Sequence, residues 1–180
     1  AIIGAGPAGI AAATEARAHG LSVLVLDENP APGGRIWQAI EARAAKDDDD
    51  RAAQEAVRAF RTCGAEMRFG ASVWCVEPEG RVYWSEQGRA RDTEAAQVLI
   101  ATGATERPMP VPGWTLPGVM TVGAAQIALK TGGLAPTGDV WLAGQGPLLL
   151  LYATQALAAG GRIAGVLDLA DPAGRRRALA

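Results

Sequence analysis

The stretch that decides the fold is Ala1–Asp27, AIIGAGPAGIAAATEARAHGLSVLVLD. Ile2 and Ile3 read as the end of a strand, GAGPAG as a loop, Pro7 to His19 as an Ala-rich helix and Leu21 to Leu26 as a second strand closed by Asp27. Gly20 stands where a helix end takes a left-handed residue. Gly4 permits a tight turn, Gly6 lets a diphosphate approach the backbone, and Gly9 lets the helix pack on its strand. Pro7 suits a first helical turn, where its missing N–H has no partner to lose. The free N–H groups around Ala8 and Gly9, at the positive end of the helix dipole, favour a phosphate. Asp27, 23 residues after Gly4, is placed to meet the ribose hydroxyls of an adenosine, and Glu28 competes for that role. A lone G-x-G-x-x-G is a weak signal. Strand, loop, helix, strand and acid in this order predict a dinucleotide-binding βαβ unit. His19, at the helix end, reads as a solvent-facing residue. With so little strand before the loop, the chain is expected to be an internal piece of a longer protein.

Composition narrows the class. Across 180 residues, 49% are apolar and 20% charged, the balance of an ordinary globular chain. Seventeen basic against 19 acidic residues give a net charge of −2, which offers no overall field for nucleic acid or anionic lipid. Arg175-Arg176-Arg177 reads as a solvated chain end. No run reaches the length of a membrane helix, so membrane association is not indicated and a cytoplasmic protein is expected. Cys63 and Cys75 fit neither a redox Cys-x-x-Cys nor a zinc knuckle and read as buried or half-buried thiols. No metal site is predicted.

Between Asp47 and Ala96, the run Asp47–Asp50 reads as a charged loop ahead of a helix over Gln54–Cys63. AEMRFG, ASVWCVE, GRVYWSE and GRARDTEA then read as strands separated by turn residues. Trp74 and Trp84 are assigned to packing of this small sheet rather than to a cofactor.

The opening pattern returns. Asp139 to Ala143 reads as a strand, Gly144-Gln145-Gly146-Pro147 as a loop, Leu148 to Ala159 as a helix, and Arg162 to Leu167 as a strand closed by Asp168. The acid comes 24 residues after Gly144, against 23 in the first unit, and the repeat is offset by 140 residues. Leu149 replaces the third glycine, which predicts a helix standing further from its strand. Gly144, Gly146 and Asp168 are candidates to bind NAD or another adenine nucleotide, against the alternative of a purely structural repeat.

Two further stretches point to a family. Asp27–Gln38, DENPAPGGRIWQ, carries Gly33, Gly34 and Arg35, and Val98–Pro108, VLIATGATERP, is a strand ending in Ala101-Thr102-Gly103. With GAGPAG they resemble the flavoprotein superfamily that includes glutathione and thioredoxin reductases. That resemblance implies FAD on Gly4, Gly6, Pro7, Ala8, Gly9, Asp27, Glu28, Gly33, Gly34, Arg35, Ala101, Thr102 and Gly103. It also implies a three-stranded meander before the Ala-Thr-Gly strand.

Within the superfamily, Glu106-Arg107-Pro108, Pro112–Met120 (PGWTLPGVM) and Gly146–Leu150 (GPLLL) are similar to the large FAD subunits of opine oxidases, hydrogen cyanide synthase and D-hydroxyproline dehydrogenases. The larger chain of sarcosine oxidase, its alpha subunit, is a more distant relative. Arg35 departs from the Gln common in that branch, and the chain has no Cys-x-x-Cys for thioredoxin-reductase chemistry.

The resulting expectation is an α/β chain. Residues 1–107 form a Rossmann-like FAD-binding domain with a three-stranded β-meander, 108–138 a linker and connecting helix, and 139–180 an incomplete second Rossmann-like βαβ domain. The function implied is oxidation of a small-molecule amine or amino acid of opine, D-amino-acid or glycine type, with electron relay beside a smaller flavoprotein oxidase subunit. The alternatives are a non-catalytic nucleotide-holding scaffold and an NAD(P)H-dependent flavin reductase. No catalytic residue is assigned, and the isolated chain is expected to be inactive.

Overall fold

The computed structural model describes residues 1–45 and 47–171, and the Arg175–Arg177 cluster lies outside them. The elements are β1 (Ile2–Ile3), α1 (Pro7–Ala18), β2 (Leu24–Asp27), α2 (Asp48–Thr62), β3 (Glu66–Phe69), β4 (Ala71–Val76), β5 (Arg81–Glu86), β6 (Arg89–Glu94), β7 (Leu99–Ile100), α3 (Val122–Gly132), β8 (Asp139–Gly144), α4 (Pro147–Ala158) and β9 (Arg162–Asp168). They fall into two compact units, Ala1–Ala104 and Thr105 onward.

In the first unit β3-β2-β1-β7 form a parallel sheet. Successive strand residues point to opposite faces, and two cores result. Ile2 and Val25 join Ile10 and Ala13 of α1 and Ala53, Val57 and Phe60 of α2 on one face. Ile3 and Leu26 meet Ala71, Val82 and Trp84 of the antiparallel meander β4-β5-β6 on the other. The meander stands where the sequence places it. Trp84 packs in this core, as expected, while Trp74 is exposed and leans on Tyr83, ring centroids 5.3 Å apart.

Several boundaries move for local reasons. The acidic run is part of α2, not a loop before it: Asp47 is the N-cap, its carboxylate accepting the Asp50 N–H at 2.8 Å. Asp48, Asp49 and Asp50 fill the first turn, where carboxylates meet unpaired N–H groups and the positive end of the dipole. Asp50 also takes both Nη groups of Arg43, at 2.5 and 2.6 Å. Strand β2 starts at Leu24 rather than Leu21, because Leu21 completes the end of α1. Its N–H donates to Ala16 O, and its carbonyl accepts from Arg17 Nη1. His19 is exposed beside Glu15, and both cysteines are half-buried and free.

In the second unit β8 and β9 pair in parallel. α3 and α4 pack on them through Ala125, Leu142, Leu149, Tyr152 and Ala156. The register runs Val140↔Ile163 and then Trp141↔Gly165, so β9 carries one extra residue as a bulge. Gly144 consequently stands level with Asp168, as Gly4 stands one step past the Ile3↔Leu26 pair and level with Asp27. The bulge accounts for the 24-residue spacing against 23.

Candidate functional site

The GAGPAG loop connects β1 to α1, and three separate segments close on it. Gly4 adopts φ +104°, and a Cβ there would drive into the Ala101 carbonyl, so the Ala101-Thr102-Gly103 segment after β7 lies directly against the turn. Ala101 is held by its N–H donating to Ile3 O at 2.8 Å, whereas Thr102 and Gly103 are exposed. On a second side the Gly33 N–H donates to Ala5 O at 2.8 Å. Gly34, at φ +57°, lies so close that its Cβ would stand 3.0 Å from Gly6 Cα. An L residue at Gly34 would be strained in conformation and in space.

The third contact is the Asp27 carboxylate. Asp27 is buried. Its Oδ2 accepts the Ala5 N–H at 2.5 Å, and its Oδ1 accepts the Asn29 N–H and Nδ2 at 2.7 and 2.8 Å. The acid at the end of β2 therefore holds the loop and its own turn together. Glu28, the next residue, is exposed, as is Arg35 beyond the two glycines. Asn29 is a residue that motif reading misses. The D-x-N spacing, in which an acid accepts hydrogen bonds two residues on, is the signal that could have found it.

A rigid cradle is left. At Gly9 a Cβ would collide with the Gly4 carbonyl and stand 3.5 Å from Ile2 Cγ2, so the first turn of α1 sits on the strand end. Gly6 is the N-cap of α1 without a side-chain cap, Pro7 follows inside the first turn, and Ala8 is exposed. At Gly6 the nearest protein atom to an added Cβ is Gly34 Cα, 4.0 Å away. The arrangement fits a diphosphate, with free N–H donors at a helix start, no side chain in the approach, and an acid fixed beside the loop.

The second loop has a different shape. Gly144 and Gly146 adopt φ +147° and +99°, and Leu149 is buried against α3, α4 and β8 in place of a glycine. Its Cδ1 would stand 3.6 Å from a Cβ on Gly144. Asp168 is exposed, and its Oδ1 accepts the Ala170 N–H at 2.9 Å. Among the described residues no group of three or more His, Cys, Asp and Glu could hold a metal ion, and no helix is long and apolar enough to cross a membrane.

Comparison with known proteins agrees with this geometry. The pyridine nucleotide-disulphide oxidoreductase family matches residues 1–133. An opine oxidase subunit of Rhizobium meliloti (strain 1021) is 48% identical over 94% of this chain and 38% of its own length. The HcnB subunit of hydrogen cyanide synthase from Pseudomonas aeruginosa is 38% identical over 93% of this chain and 38% of its own. The alpha subunit of sarcosine oxidase from Rhizobium meliloti (strain 1021) is 33% identical over 75% of this chain and 15% of its own. Among solved structures, L-proline dehydrogenase from P. horikoshii superposes with a TM-score of 0.74 at 23% identity, over 92% of this chain and 34% of that one. The chain thus spans a little over a third of the first two curated relatives. With a family match that takes in the first loop and both segments lying on it, the chain belongs to the pyridine nucleotide-disulphide oxidoreductase family, oxidoreductases that bind FAD in a Rossmann-like fold.

Proposed function

We propose that the chain is the FAD-holding part of an oxidoreductase subunit that oxidises an amine or amino acid. The observation that carries this reading is the convergence of Asp27, Gly33-Gly34 and Ala101 on the GAGPAG loop. This fixes a diphosphate cradle before any ligand arrives. Bound FAD supplies a two-electron acceptor. The residues around the cradle do the binding: Gly4, Gly6 and Gly9 keep the approach clear of side chains, and Pro7 and Ala8 open the helix whose N–H groups face the phosphates. The carboxylate of Asp27 receives ribose hydroxyls, while Glu28 is exposed one residue further on. Gly34 brings backbone against Gly6, and Arg35 and Thr102-Gly103 border the same loops.

The relatives support this substrate class, since their names give opines, hydrogen cyanide formation and sarcosine. Held there, FAD would accept the hydride equivalent of a C–H bond beside the substrate nitrogen. The nitrogen would give up a proton to solvent, leaving an imine for water to hydrolyse. The relatives are named as subunits, which supports a partner, and a smaller flavoprotein oxidase subunit fits that place.

The test uses the full-length protein purified with and without its partner. Stoichiometric flavin, bleached anaerobically by an opine, a D-amino acid or glycine only when the partner is present, is the expected result. A flavin-free protein would refute the cofactor reading. Flavin that no amine reduces even with the partner would refute the substrate reading.

A further inference from the structure

We infer that the loop of the second βαβ unit seats no nicotinamide dinucleotide, so electrons reach the flavin from an organic substrate and not from NAD(P)H. This deepens the proposed function and rests on it, because it names the class of electron donor. The two units allow the comparison within one chain, since register puts Gly144 level with Asp168 as it puts Gly4 level with Asp27.

Three features of the first loop that suit a diphosphate are changed in the second. The first is the contact between helix and strand. At Gly9 there is no room for a Cβ above the Gly4 carbonyl, so α1 begins directly on its strand. The matching residue, Leu149, brings a whole side chain into the core between α4 and β8. Its Cδ1 lies 3.6 Å from where a Cβ on Gly144 would stand, so a Leu side chain fills the space next to the loop that in the first unit the Gly9 backbone occupies. The second is the path of the loop. Gly6 enters α1 from extended backbone, φ −75° and ψ −177°, whereas Gly146 enters α4 at φ +99° and ψ 171°. The peptide groups before the two helices consequently face different directions, and those groups are what a diphosphate binds. The third is the support. Ala5 is held on both sides, its N–H by Asp27 and its carbonyl by the Gly33 N–H. Gln145 occupies the matching place, and the hydrogen bond that closes this loop end runs instead from the Leu169 N–H to Gly144 O, at 2.8 Å.

Asp168 does not restore the site. Its Oδ1 accepts the Ala170 N–H just as Asp27 accepts the Asn29 N–H. The acid thus closes the turn after the strand in both units, and in the first it also holds the Ala5 N–H of the loop.

The test takes the full-length, flavin-loaded protein under anaerobic conditions. NADH and NADPH are titrated in, with binding followed calorimetrically and flavin reduction by its visible absorbance. Gly146→Ala and Asp168→Asn are run alongside wild type. No saturable binding and no bleaching is the expected result. Binding without bleaching that both variants leave unchanged would also support it, by placing the nucleotide elsewhere. Bleaching by either nucleotide, or saturable binding that either variant abolishes while flavin stays bound, would overturn it. Failure of the FAD reading is separate and visible at the start, as a protein carrying no flavin to bleach.

Discussion

Replacing Asp27 by Ala removes the side chain whose carboxylate holds the GAGPAG loop at Ala5. Three hydrogen bonds are lost: one from the Ala5 N–H to Oδ2, and two from Asn29 to Oδ1. Their costs differ. Asn29 is exposed, so its donors return to water and little free energy is lost. Ala5 is fully buried, and an unsatisfied buried N–H costs about 1–3 kcal/mol. The apo-protein should therefore lose about 1–3 kcal/mol in a urea titration, with no change in slope if both states keep their compactness. On the proposed reading, in which Asp27 accepts from the ribose and the loop lies below the diphosphate, flavin affinity should fall by about ten- to a hundredfold, or about 1.4–2.7 kcal/mol. Equilibrium dialysis of FAD against the full-length protein reads that change directly. Asp27→Asn keeps an acceptor for the Ala5 N–H, so it should recover most of the stability but less of the affinity. Apo-protein stability within about 0.5 kcal/mol of wild type, the range of ordinary surface changes, would refute the latch. A larger loss of flavin in Glu28→Ala than in Asp27→Ala would move the ribose contact to the exposed neighbour.

Further outcomes follow from the same geometry. Gly6→Val should abolish flavin retention while far-ultraviolet circular dichroism stays native, because the nearest protein atom to a new Cβ is 4.0 Å away and the intruding methyls meet ligand instead. Gly34→Ala should destabilise the apo-protein by about 1–2 kcal/mol through its left-handed φ of +57° and should weaken flavin binding as well, checked by thermal melts with and without FAD. Asp47→Ala removes the α2 cap and should cost about 1 kcal/mol with flavin affinity unchanged, which separates helix stability from the site. Tyr152→Phe should be neutral or stabilising in a chemical melt, since the phenol is buried with no hydrogen-bond partner among the described residues; a loss above about 1 kcal/mol would mean that its hydroxyl has one.

Features that rest on neighbours in the chain are legible in the letters alone. GAGPAG between Ile3 and a helix, the strand ending in Asp27, the turn-separated strands of the meander, and the return of the pattern at Gly144 are all of this kind, because turns, caps and periodicity are set by residues a few positions apart. The boundaries that differ from expectation are local too. Four consecutive acids at Asp47–Asp50 suggest a solvated loop, although a helix start is where such acids are stabilised. Which groups meet is another matter, settled by the tertiary structure. That Asp27 holds Ala5, that Gly34 lies on Gly6 and that Ala101 lies on Gly4 depends on parallel strands placing distant loops at one sheet edge, and no spacing rule reaches so far. The same holds for the second unit. Its motif letters resemble those of the first, but the burial of Leu149 and the positive φ of Gly146 give the loop another path. A glycine motif specifies what the backbone is permitted to do, whereas the packing around it selects the path taken.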